Sequence, residues 1–191
     1  MAIPALALLV GVSVASPAYL RFPDAFGDTV VFTTAGDLWT ARISTGAVER
    51  LTSHPGEERY PHFSPDGKQI AFTAAYEGNV DVYVVPTGGG EPRRLTWHNY
   101  PDEVVGWTPQ GRILYRSRGT EAHGEYELYT LSPEGGEPEP VPLGWAARMA
   151  EDPSTGMWAF NRIAHERATW KRYRGGMKDR KSTRLNSSHR L

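Results

Sequence analysis

The sequence predicts an all-β chain, an incomplete β-propeller of about three and a half four-stranded blades, on three observations. Apolar segments recur with a period of 40 to 45 residues, and Pro-x-Gly pairs punctuate them at matching places. Outside the first 18 residues no window sustains a 3.6-residue apolar period for three turns, which removes an all-helical alternative. The composition agrees: among 191 residues, 20 Gly and 15 Pro with six Trp, nine Tyr and six Phe suit short strands joined by tight turns.

Residues 1–18, MAIPALALLVGVSVASPA, differ from the rest of the chain. An uncharged apolar run from Ala5 to Ala15 precedes small residues at Ser13, Ala15, Ser16 and Ala18 that suit a signal-peptidase site after Ala15 or after Ala18. The run is too short to span a membrane, and no Lys or Arg precedes it. The expectation is an export signal and a periplasmic or extracellular mature chain; a buried first strand or a misassigned start codon in a cytoplasmic protein is the alternative. Cysteine is absent, which excludes disulfides, thiolate metal sites and a cysteine nucleophile.

Four blades are expected, at about 19–54, 59–98, 102–143 and 145–178. YPHFSPDGKQIAFT (Tyr60 to Thr73) aligns with EVVGWTPQGRILYR (Glu103 to Arg116), each an apolar strand, a Pro-x-Gly turn and a second apolar strand. GDTVVFTT and TGMWAFNR repeat the second strand, so Phe32, Phe72, Tyr115 and Phe160 fall at intervals of 40, 43 and 45. DLWTARI, DVYVVPT and ELYTLSP are third strands, whose Trp39, Tyr83 and Tyr129 are expected between blades. Fourth strands end at His54, His98 and Leu143, while blade four opens at Trp145 and stops before its third strand. Asp66-Gly67 and Gln110-Gly111 supply the positive φ of a tight hairpin. Closed propellers need four to eight blades, so the natural protein is expected to be longer.

The last 21 residues hold eight Lys and Arg, a pattern of nucleic-acid or membrane-surface arms. Asp179 to His189, DRKSTRLNSSH, reads instead as one frame of a short-read sequencing adapter, so 179–191 is expected to be an artefactual tail. Without those eleven residues the formal charge moves from -1 to -3, and no nucleic-acid partner is expected.

FSPDGKQIAF (Phe63 to Phe72) resembles the repeat of the periplasmic translocation protein TolB and of several serine-peptidase propellers. Taken with GDTVVFTTAGDLWT, LTSHPGEERYPHFSPDGK, DEVVGWTPQGR and TWKRYRGGM, the region from about Tyr19 to Met177 resembles the N-terminal propeller of tricorn-type serine peptidases. That resemblance implies a six-bladed propeller that gates or sieves peptides or unfolded polypeptide for a serine and histidine core absent from this chain. The parent would then be a homo-oligomer; archaeal members of that family are cytoplasmic, and the apolar first 18 residues depart from them. The alternative is a TolB-like propeller that binds a protein partner and catalyses nothing.

The residues offer no catalytic, cofactor or metal site: there is no Gly-x-Ser-x-Gly, no His-Glu-x-x-His and no phosphate-binding glycine loop. His54 and His98 share a repeated place and are read as structural, as is His62 in a first strand. His123, and His165 with Glu166, lie in loops, and scattered side chains do not make a metal site. Arg93 and Arg94 are the candidate peptide contacts, because arginine matches a carboxylate with a bidentate fork. On an outer strand such a pair more often forms a solvated edge. Glu57, Glu58, Asp102 and Glu103 precede or open first strands and are expected to be solvated acidic loops.

Overall fold

Short β-branched and aromatic runs separated by Gly and Pro satisfy their backbone most simply as hairpins. The computed structural model, which describes residues 19–118 and 125–162, folds them as successive antiparallel meanders. The first sheet is β1 (Arg21–Phe26), β2 (Thr29–Thr34), β3 (Asp37–Arg42) and β4 (Val48–Arg50), in that order. The second is β5 (Glu58–Phe63), β6 (Gln69–Ala74), β7 (Asp81–Pro86) and β8 (Arg93–Arg94). The third is β9 (Asp102–Trp107), β10 (Ile113–Ser117), β11 (Glu127–Leu131) and β12 (Glu139–Trp145). A two-stranded sheet, β13 (Arg148–Glu151) with β14 (Trp158–Asn161), opens the fourth blade. No helix occurs among the described residues.

The blades stack through their first strands, β1 on β5, β5 on β9 and β9 on β13. Blade two has a neighbour on each face, so β6 and β7 are buried almost along their full length. Val31 and Leu38 pack with Phe63, Phe72 and Tyr83 at one interface, and Val82 and Leu95 with Val104, Tyr115 and Leu131 at the next. Burying one such side chain fully stabilises by about 1.5–3 kcal/mol. Tyr83 and Tyr129 pack at blade interfaces, as the repeat predicts. Trp39 belongs to a blade with no neighbour before it among the described residues and joins neither cluster.

The fourth strands depart from expectation. Their ladders stop at Arg50 and Arg94 rather than at His54 and His98. Threonine ends them: the amides of Leu38 and Val82 donate to the hydroxyls of Thr52 and Thr96, both at 3.0 Å, so a side chain replaces the next backbone rung. In blade three the outer strand instead runs on to Trp145, which pairs with Glu127 beyond a register shift and after Gly144 at φ 60°. Trp145 therefore closes blade three, and blade four begins at Arg148.

A buried acid links each of blades two and three to the blade before it. Glu58, first in β5 and fully buried, accepts hydrogen bonds from the Leu38 amide at 2.8 Å and from the Thr52 hydroxyl of blade one, and from the Tyr76 hydroxyl. Asp102, first in β9, likewise accepts from Thr96 of blade two, and from Ser117. The backbone repeats the link, as the amides of Glu58 and Asp102 donate to the carbonyls of Gly36 and Val80 at 2.9 and 2.8 Å. These two carboxylates are buried where the sequence suggests solvated loops, because the adjoining blade covers them and supplies the donors that make burial tolerable. At the start of β3 and of β7 a second acid, Asp37 or Asp81, binds Arg50 or Arg94 at 2.7 and 2.8 Å.

The hairpin turns fit the same close packing. Gly67 and Gly111 take φ of 71° and 79°, but only Gly67 also lies against another blade, where an added Cβ would stand 2.1 Å from the Phe26 ring. Gly67→Ala is expected to destabilise by about 2–4 kcal/mol, adding overpacking to strain. Gly111→Ala, with open space around it, should cost about 1–2 kcal/mol. Equal costs in denaturant melts would sink this account of Gly67. A second test concerns Glu58, whose carboxyl burial holds above its ordinary 4.5. A raised carboxyl binds its proton more readily folded than unfolded, so its stabilisation is complete below 4.5 and fades as pH rises through the folded value. Wild type should therefore gain on Glu58→Gln as pH falls from 7 to about 4, and a difference in melting temperature that does not change with pH would contradict it.

Candidate ligand cleft

The link between blades two and three borders a cleft of about 630 Å³, within the size range of small-ligand sites. Its lining is Leu95, Thr96, Trp97 and His98 from the end of blade two, Asp102, Tyr115, Ser117 and Tyr129 from blade three, and Gly136 to Pro138 from the turn before β12. These residues converge because β8 ends early: past it Leu95 and Thr96 still bond Val82 of β7, and Leu95 packs with Val104 and Tyr115 of blade three. The Tyr115 and Tyr129 rings stack at 5.6 Å. Burial, then the hydrogen bond to Glu127, pushes the Tyr129 phenol up to about 12, and burial raises that of Tyr115 too, so both stay neutral at physiological pH. Burial also raises the Asp102 carboxyl, against the hydroxyls of Ser117 and Thr96. The cleft thus combines aromatic walls, one buried carboxylate and an exposed Trp97.

A second feature lies at the inner strands. Phe22 and Tyr60 hold φ of 52° and 54°, each directly before a proline at a bulge, with ring centroids 4.4 Å apart. Such backbone costs about 1–3 kcal/mol and persists only where its surroundings enforce it. Arg116, almost fully buried, bonds Glu103 at 2.7 Å and lies 4.7 and 6.0 Å from the rings of Tyr126 and Tyr60.

The structure separates the two arginines singled out in the sequence. Arg94 is not a solvated edge: it pairs with Glu77 at 2.5 Å and buried Asp81 at 2.8 Å, and donates to the Thr96 carbonyl at 2.8 Å. Arg93, about half exposed, donates to the carbonyls of Glu134 and Pro133 at 2.9 and 2.5 Å, bracing blade three. They serve different partners, since neighbours along a strand point to opposite faces. His54 and His98 do share one role: Nδ1 accepts the amide of Gly56 at 2.9 Å and of Tyr100 at 3.4 Å. Each imidazole also meets an aromatic ring, Tyr76 or Tyr100. His62, a third exposed, stands 3.7 Å from Asp24. Among the described residues no three His, Asp or Glu side chains gather as a metal site. His123, His165, Glu166, residues 1–18, Trp170 to Met177 and the basic tail lie outside the described residues. Sequence reasoning missed Thr52, Thr96 and Tyr76, as well as the buried state of Glu58 and Asp102. The signal was Leu-Thr-x-His followed four residues later by an acid, present from Leu51 to Glu58 and again from Leu95 to Asp102.

Comparison with known proteins agrees with this architecture. The profile of the tricorn protease N-terminal beta propeller domain matches residues 17–189. Tricorn protease homolog 1 of Streptomyces coelicolor is 37% identical over 164 residues, 85% of this chain, and the chain spans 15% of its length. A tricorn-like protease N-terminal subunit from Sulfurisphaera tokodaii is 31% identical over 169 residues, covering 84% of this chain and 83% of that one. In structure, the tricorn protease superposes with a TM-score of 0.69 at 24% identity, over 76% of this chain and 15% of that one. TolB of Acinetobacter baumannii gives 0.60 at 23%, over 72% of this chain and 36% of that one, which shows the shared propeller fold. With repeated four-stranded blades and a family match over nearly all its length, the chain belongs to the tricorn protease N-terminal β-propeller family.

Proposed function

We propose that this chain is the front propeller of a longer, exported tricorn-like serine peptidase, where it gates or sieves peptides for a catalytic core it does not itself contain. The observation that carries the reading is the family match over residues 17–189 together with a chain that spans 15% of its Streptomyces relative. The geometry is consistent with a passive role. The buried acids are engaged at the blade junctions, and Nδ1 of each repeated histidine accepts an amide two residues further on, in the turn that follows. Arg93 is the more exposed of the two arginines and the better placed to meet a peptide carboxylate. Export rests on the apolar run and small residues of positions 5–18.

A second reading, a propeller that binds a protein partner without any peptidase, draws on the likeness to TolB over 61% of the chain. Long-read sequencing of the source gene separates the two. A frame continuing past codon 178 into more blades and a serine peptidase core supports the first, and one ending after a few blades leaves the second. The purified chain is expected to release no fluorophore from a library of peptidyl-aminomethylcoumarins, whereas the full-length product hydrolyses some of them. Turnover by the chain alone would overturn the passive role. Amino-terminal sequencing of the secreted product should begin at Ser16 or Tyr19, and retention of Met1 would remove the export proposal.

A further inference from the structure

The cleft between blades two and three has a filled counterpart one blade earlier. There the Tyr76 ring lies 3.7 Å from that of His54, 4.6 Å from that of Tyr83 and 6.4 Å from that of Phe72, and its hydroxyl donates to Glu58. Strand register carries each neighbour forward. Glu58 pairs with Ala74 as Asp102 pairs with Ser117, and Phe72 pairs with Tyr83 as Tyr115 pairs with Tyr129. His54 and His98 each stand two residues past the linking threonine. The four neighbours of Tyr76 therefore become Asp102, His98, Tyr115 and Tyr129, and all four line the open cleft. The two ring stacks agree as well, at 5.8 and 5.6 Å. What does not repeat is the tyrosine: the residue two beyond Ala74 is Tyr76, while two beyond Ser117 the sequence has glycine, which brings no side chain.

We propose that this cleft is a receptor for the side chain of a tyrosine presented by a bound polypeptide, which would take the place that Tyr76 holds in the preceding interface. Aromatic walls suit the ring, and the Asp102 carboxylate supplies the acceptor that Glu58 gives to Tyr76. Asp102 already accepts from Ser117 and Thr96, and a carboxylate has room for further donors. Aspartate is one methylene shorter than glutamate, which leaves the visiting hydroxyl space that Glu58 itself occupies in the first interface. The exposed Trp97 at the lining gives a flanking surface for the rest of the peptide. The proposal stands on the cleft alone and holds whether or not the chain gates a peptidase.

The test is an NMR titration of the full chain with N-acetyl-tyrosinamide, and in parallel with N-acetyl-phenylalaninamide. Saturable shifts at Thr96, Trp97 and Ser117 are expected for the tyrosine probe, with the phenylalanine probe about tenfold weaker because it leaves the carboxylate without its phenol donor. A Tyr76→Gly variant should acquire a second set of shifts at Leu51 to His54, as its first cleft opens. If that variant fails to fold, the wild-type titration still decides. No saturable shift, equal affinity for the two probes, or shifts confined to another face would each overturn the proposal.

Discussion

The structure depends on a carboxylate held where two blades meet. A propeller blade is a small sheet that cannot bury both faces alone, so its stability lies mainly in its neighbours. Apolar packing is non-directional and would tolerate some sliding of one sheet over the next. Glu58 and Asp102 remove that freedom, because a buried carboxylate must keep its donors in place or bear a large desolvation cost. Each acid takes donors from the blade before it, Thr52 with the Leu38 amide in one case and Thr96 in the other, beside one from its own blade, Tyr76 or Ser117. The position of one sheet on the next is thus set by hydrogen bonds to a group that cannot go unpaired.

The same threonines serve two purposes. By accepting the amide of the third strand they end the outer strand early, and by donating to the acid they join the next blade. An edge trimmed in this way offers few free backbone groups for unwanted strand addition. Arg50 and Arg94 complete the corner by binding the acid that opens β3 and β7.

Where the pattern lapses, the packing changes with it. At the third junction the amide of Ala146 still donates to the Tyr126 carbonyl at 2.9 Å, as Glu58 and Asp102 do to their predecessors, but alanine offers no carboxylate. Pro140 stands opposite Tyr129, where Arg50 and Arg94 stand opposite Trp39 and Tyr83, and the outer strand runs on to Trp145. Repetition of a blade therefore does not impose identical interfaces. One junction is filled by Tyr76, the next is left as a cleft, and at the third the small side chains of Ala146 and Ala147 are buried.

Strand type, turn position, blade period and family were legible in the residues, because each is a local property: alternation marks strands, Pro-x-Gly marks hairpins, and Phe32, Phe72, Tyr115 and Phe160 keep the beat. The structural role of His54 and His98 followed from their equivalent places in the repeat. The cleft and the burial of Glu58 and Asp102 were not legible in this way. An acid beside Gly, Asn and Pro has the composition of a solvated loop, and only the approach of a neighbouring sheet makes it a buried acceptor. The contrast between Arg93 and Arg94 likewise depends on which blade lies across each face of the strand. Sequence alone determined that the chain folds as repeated four-stranded blades, since those signals act within a few residues. Tertiary structure alone decided which polar groups hold the blades together and which junction stays open, because both depend on groups of adjoining blades meeting across an interface, as the Leu38 amide meets Glu58 and Trp107 meets the His62 carbonyl, 20 and 45 residues apart.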